Sequence, residues 1–231
     1  MNLAEFLQEE MVEETVFTIP IGSGLEVSEC TVVSWIVMAV IILLCIVLGS
    51  NLRVDHISKR QAAAEFIVTK LENLIVGFTG EGGRPYTCYL LTVLLYLGLA
   101  NIIGIFGFKP PTKTLNVTAA LAIMSIILVQ VSSIRARTAK GWLHSFVEPT
   151  PIVLPFNILD LFTRPLSLCM RLFGNVLGAF VIMEMLNHVS KVFVPAVFSL
   201  YFDLFDGLLQ AYVFVCLTGR YINEATELGE D

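Results

Sequence analysis

Long apolar stretches separated by short charged ones set the pattern of this chain. Thr31 to Gly49 carries no charge and is rich in Ile, Val and Leu. At about 1.5 Å per helical residue, such a stretch reaches across a bilayer core of about 30 Å. Pro85 to Phe108 is a second uncharged stretch, the loop KPPTK (Lys109 to Lys113) turns the chain back, and Thr114 to Ile134 is a third. Arg135, Arg137 and Lys140 close it. Ser58 to Phe78 follows another rule: charges alternate with Phe66, Ile67, Leu71, Leu74 and Ile75 at helical spacing. That spacing predicts an amphipathic helix lying along the membrane surface or packed on another chain.

The last third changes character. From Pro155 to Glu227 the apolar pattern continues, but Asp160, Arg164, Arg171, Glu184, Asp203 and Asp206 interrupt it. A turn around Ser190 to Pro195 divides it into two helices, about Phe156 to His188 and about Val194 to Glu227. Each is near 50 Å long, too long to stand upright in a core of about 30 Å, so both tilt steeply or extend beyond the membrane. Pro165 is a candidate kink in the first.

Composition agrees with a membrane domain. Of 231 residues only 15% are charged, which is too few to clothe a soluble domain of this length. The fold class read from these patterns is all-α and polytopic, with about five membrane helices, a surface amphipathic helix and a long tilted C-terminal hairpin. The chain divides into an acidic segment (1–30), a region holding the first membrane helix, the surface helix and a helix pair (31–153), and the hairpin (154–231). The five cysteines show no ligand spacing and lie mostly in apolar runs. The three histidines are scattered, so no metal site and no cofactor are expected. Asn116-Val117-Thr118 matches a glycosylation sequon but opens an apolar helix, and is read as chance.

Charge placement gives an orientation. Residues 1–29 hold seven glutamates and no Lys or Arg, which argues against a signal peptide. With this acidic start outside, Arg53, Lys59, Arg60, Lys70, Arg84, Arg135, Arg137, Lys140 and Arg220 fall on the cytoplasmic side. Only Lys109, Lys113 and Lys191 fall outside, so the positive-inside rule predicts a cytoplasmic C-terminus.

An unpaired arginine at mid-membrane costs about 2.5–3.5 kcal/mol even on insertion scales, so Arg171 calls for a function. On a wheel of about 100° per residue, Asn175 lies about +40° from it, Gly174 about −60° and Gly178 about −20°. Gly174 and Gly178 form GxxxG, a close-approach face for a neighbouring helix. One fixed cation on such a face suits a passing partner that brings an anion. Glu184 lies about −140° away on the far side, with His188 one turn further along. On the second hairpin helix Asp203, Asp206 and Gln210 are spaced i, i+3, i+7, which puts them on one α-helical face and predicts a hydrated ion path.

These residues carry a specific resemblance. PLSLCMRLFGN (Pro165 to Asn175) resembles the signature of subunit a of F-type ATP synthases, and LQAYVF (Leu209 to Phe214) resembles that family's second signature helix, with its Gln. The match is close over about Leu154 to Thr218 and looser over most of the chain. The resemblance implies that Arg171 is the essential arginine facing the rotor ring of c subunits, with Asn175 and Gln210 as polar neighbours. Asp203 matches a protonatable position. Phe180 stands where some members carry Glu, with Glu184 one turn later; Asn157 stands where many carry Glu, with Asp160 as a replacement. It further implies a non-catalytic subunit of the bacterial plasma membrane, passing H⁺ or Na⁺ through two offset half-channels. Its partners would be the c ring, peripheral-stalk b subunits, the lipid bilayer and, indirectly, the soluble catalytic head; nucleic acid is not among them. The alternative is a secondary ion transporter with an intramembrane Arg/Asp site. Such transporters usually show paired internal repeats, and the Arg171 segment has no second copy. A membrane enzyme would need a nucleophile–base or metal constellation, which the sequence lacks. A purely structural subunit would not need Arg171, Asp203 and Gln210 at one depth.

Overall fold

The computed structural model describes residues 15–19, 25–50, 58–106, 108–145, 154–189 and 198–227. Two short strands, β1 (Thr15–Ile19) and β2 (Leu25–Ser28), pair antiparallel, and β2 runs directly into the first helix. Among the described residues six α-helices follow: α1 (Glu29–Gly49), α2 (Lys59–Thr79), α3 (Thr87–Ile102), α4 (Leu115–Ser145), α5 (Leu154–Val189) and α6 (Gly207–Glu227). The segment Leu200–Asp206 leads into α6 as a π-helix. Among the described residues five helical segments are long and apolar enough to cross a membrane: Glu29–Gly49, Arg84–Phe106, Leu115–Arg137, Leu154–Met183 and Leu200–Glu227. The protein is therefore an all-α polytopic membrane protein with one small β-hairpin.

Several boundaries differ from the sequence reading. α4 runs through Arg135 and Arg137 to Ser145, about 11 residues past the apolar stretch, because a helix that leaves the bilayer can continue on its own hydrogen bonds. α5 keeps helical geometry through Pro165 and spans 36 residues, or about 54 Å. The turn expected at Ser190 to Pro195 lies outside the described residues. α2 begins where Ser58 accepts a hydrogen bond from the Gln61 amide at 3.2 Å. It ends at Gly80, whose φ of 66° favours a residue without Cβ.

α6 is the packing axis. Gly207, Gln210, Ala211, Phe214, Val215, Thr218, Gly219, Ile222 and Thr226 are buried along it at i, i+3, i+4 spacing. This stripe meets α2, α3 and α4, and Leu90, Leu97, Leu172, Phe214 and Ile222 are fully buried in the shared core. α1 buries Cys30, Val33 and Val37, while most of its later apolar side chains, including Ile42, Leu43 and Ile46, remain exposed, as suits a helix facing lipid. The Tyr96 hydroxyl and the Ser34 hydroxyl share a hydrogen bond of 3.1 Å that ties α1 to α3.

A close approach in the core lies at Gly207. The buried Asn101 donates from its amide to the Gly207 carbonyl at 2.9 Å and accepts from the Thr112 hydroxyl at 2.8 Å. One side chain thereby joins α3, the loop before α4 and the start of α6. A Cβ at Gly207 would lie 2.8 Å from the Cβ of Asn101, whereas one at Gly77 would meet nothing within 4 Å. Gly207→Val should therefore destabilise the folded chain by about 1–3 kcal/mol through overpacking. Gly77→Ala should be neutral or stabilising by up to about 1 kcal/mol. Unfolding midpoints in detergent check both; equal midpoints for the two variants would contradict the packing described here.

Candidate functional site

α5 presents two unlike faces. Leu168, Cys169 and Leu172 are buried, and this side meets α4. Met170, Arg171, Gly174 and Asn175 are exposed. The exposed face follows from the sequence: the residues that could fill a core lie at positions 168, 169 and 172, and the arginine and glycines fall outside their arc on the wheel. Among the described residues Arg171 has no ion-pair or hydrogen-bond partner. A Cβ added at Gly174 or Gly178 would meet nothing within 4 Å, so this chain makes no use of their small size. The GxxxG face expected from the sequence is present and is left open.

Two polar ties join the hairpin helices on either side of Arg171. Four residues after it, the Asn175 amide donates to the Gln210 side-chain oxygen at 2.7 Å. Gln210 lies in the buried stripe of α6, so the tie fixes the arginine's helix to the packing axis. Seven residues before it, Arg164 forks onto the Glu224 carboxylate with bonds of 3.0 and 2.9 Å. Asp160 adds a contact to Arg164 at 3.5 Å, and the guanidinium carbon stands 4.9 Å from the centre of the Tyr221 ring. Bidentate geometry of this kind is the strong form of an Arg–carboxylate pair.

The π-helix alters the second expected stripe. An i, i+3, i+7 alignment of Asp203, Asp206 and Gln210 assumes about 100° per residue. The i→i+5 bonding of a π-helix advances each residue by less, roughly 80–85°. Asp203 and Asp206 both lie within Leu200–Asp206, so positions 203 and 210 are turned further apart than an α-helix would place them. The single-face reading is corrected to two neighbouring faces. Asp206 is half-buried at the last π residue, next to Gly207 and its bond from Asn101. The side chains of Glu184, His188 and Asp203 lie outside the described residues, so the expectation that they share a half-channel stands on helix position alone.

The loop Pro111–Lys113 packs onto the other side of α5. Phe180 is about 180° around the helix from Arg171. The buried Lys113 places its ammonium 3.4 Å from the centre of the Phe180 ring. Its neighbour Thr112 is the residue bonded to Asn101. The loop Pro111–Lys113 is thus anchored to α5 through Lys113 and to the start of α6 through Thr112 and Asn101.

Sequence reading did not single out Asn101, Thr112, Lys113, Glu224 or the pairing of Arg164. For Arg164 a signal existed, because a residue seven before Arg171 falls within about 20° of it on the wheel. Its partner is 60 residues away and carries no local mark. Asp160 was read as a replacement acid; here it contacts Arg164.

The comparisons with known proteins agree with one another. The ATP synthase A chain family matches residues 31–223. ATP synthase subunit a 2 of Picosynechococcus sp. is 34% identical over 201 residues, covering 86% of this chain and 86% of its own. ATP synthase subunit a 1 of Crocosphaera subtropica is 32% identical over 199 residues, covering 85% and 86%. The sodium ion specific ATP synthase subunit a of Propionigenium modestum is 32% identical over 215 residues, covering 86% and 74%. With a match across nearly all the membrane helices and an exposed arginine on an open hairpin face, the chain belongs to the ATP synthase subunit a family.

Proposed function

We propose that this chain is the non-catalytic stator subunit that passes H⁺ or Na⁺ across the membrane and couples that passage to rotation of a c ring. The supporting observation is Arg171: a cation without a partner among the described residues, on the exposed face of α5 and flanked by glycines that nothing in this chain fills. The family and the geometry together support a ring of helices on that face. Within the chain, residues 154–231 form the ion path, residues 31–153 form its scaffold against lipid and stalk, and the acidic segment 1–30 lies outside. The excess of Lys and Arg at the opposite ends of the helices supports an outer N-terminus and a cytoplasmic C-terminus.

The chemistry follows from desolvation. A rotor carboxylate in lipid is neutral, either protonated or holding Na⁺, because an isolated charge is too costly there. At Arg171 the guanidinium stabilises its ionised form, so the carboxylate gives up its ion. It reloads on the other side of the arginine after the ring moves one step. The same cation repels a free H⁺ or Na⁺ that would run between the two half-channels, which leaves rotation as the route across. Asn175 and Gln210 hold the arginine's helix against α6, and Gly174 and Gly178 give the rotor helix room. Asp203, Asp206, Glu184 and His188 form the outer half-channel, at the end of the hairpin that carries the π-helix and the Pro111–Lys113 loop. Catalysis of ATP formation belongs to the soluble head.

Arg171→Ala should abolish ATP-driven ion uptake into vesicles containing the reconstituted complex, with the complex still assembled. Arg171→Lys should fail as well, since a compact ammonium does not reproduce the planar fork. Running the assay with and without Na⁺ and an uncoupler identifies the ion. Wild-type uptake by either variant would refute the proposed role.

Gly174→Leu and Gly178→Leu should leave the isolated chain as stable as the wild type, because each added side chain enters open space. In the whole complex both should slow transport or block assembly. Unchanged coupled transport in both would show that this face does not meet the rotor.

Cysteines placed at 184 and 203, in a background without native cysteines, should react with a water-borne thiol reagent added from the outer side. Asp203→Asn should slow transport strongly and Glu184→Gln less. Labelling only from the cytoplasmic side would place this half-channel on the wrong face of the membrane.

A further inference from the structure

Arg164 and Arg171 lie two helical turns apart on α5, within about 20° of one another around the axis and about 10.5 Å along it. α5 is about 54 Å long against a bilayer core of about 30 Å; lying within that core, it would tilt so far that a displacement along the axis is at least as much sideways travel as depth. Packed helices stand about 8–10 Å apart. A partner ring that presents one carboxylate to Arg171 would therefore present the next one near Arg164. Two free arginines at this spacing would hold two ionised carboxylates at once, and each step of the ring would have to break both pairs.

The structure removes one of the two. Glu224 takes both guanidinium nitrogens of Arg164 in a forked pair, and Tyr221 stands beside the same group. The Arg164 side chain is 26% exposed, whereas Arg171 belongs to the exposed face. Asp160 also touches Arg164, but by one contact at 3.5 Å; both carboxylates are at least half exposed (59% for Asp160, 50% for Glu224), so the short forked geometry is what sets Glu224 apart.

We propose that Glu224 is a positioning residue that neutralises Arg164, so that a rotor carboxylate is held at Arg171 and released beyond it. The proposal rests on reading Arg171 as the rotor-facing cation. It also assigns Glu224 a role that a mere fastening of α5 to α6 does not have: the charge of Arg164 must be cancelled, and the bond itself is secondary.

The two roles separate by substitution in the whole complex, reconstituted in vesicles, with ATP-driven ion uptake as the readout. Glu224→Gln frees Arg164 and should slow uptake by about tenfold or more, the effect of deepening one holding step. The double variant R164Q/E224Q removes the bond and both charges together and should restore uptake to near the wild-type rate. Co-purification of the ring and the head with each variant shows that assembly is intact. Uptake that stays slow in the double variant would make the pair a structural fastening and overturn the proposal. Normal uptake by Glu224→Gln would overturn it too. Arg171→Ala in the same series keeps the two readings apart, since transport by that variant would refute the rotor-facing role of Arg171 itself.

Discussion

A charge in an apolar medium must be balanced, hydrated or used, and the hairpin of α5 and α6 is organised around that rule. Arg164 is balanced chiefly by the forked pair it makes with Glu224. Asn175 and Gln210 satisfy one another, as do Asn101, Thr112 and the Gly207 carbonyl. Arg171 is the contrasting case among the described residues, on a face that packs against nothing in this chain. Neutral polar groups shared between helices hold the scaffold together, and the cation is left to the exposed face, as the proposed role requires.

The glycines divide along the same line. At Gly207 the missing side chain is filled from within, by Asn101. At Gly174 and Gly178 it is filled by nothing. Small residues in a membrane helix allow close approach, and whether the approaching element is internal or external is a matter of which face they occupy. α6 spends its buried face on its own core, which makes it the fixed member of the hairpin. α5 buries only the side carrying Leu168, Cys169 and Leu172 and offers the other.

What the sequence revealed tracks how local each cause is. Apolar stretches long enough to span a bilayer are continuous in the chain, so the five membrane segments and the amphipathic α2 could be read directly. The neighbours of Arg171 on its own helix were also legible, since 100° per residue places Gly174, Asn175 and Gly178 without reference to the rest of the fold. Three things were not. The π-helix at Leu200–Asp206 has no composition of its own, and it undid a stripe drawn for Asp203, Asp206 and Gln210 on α-helical spacing. The small β-hairpin is pairing between segments whose apolar signal is short. The Arg164–Glu224 and Lys113–Phe180 contacts join residues 60 and 67 positions apart, and such meetings are decided by tertiary packing.

The two ties that bracket Arg171 explain how an exposed side chain can still be well placed. Along α5 the ties fall about 10.5 Å before the arginine and about 6 Å after it. Between those points the helix is fastened to α6, whose buried stripe is fixed by α2, α3 and α4. The guanidinium can therefore face outwards without the helix beneath it shifting when a charged partner pulls on it. An exposed charge on a helix held against a packed core keeps one depth, which suits it to face a partner that moves.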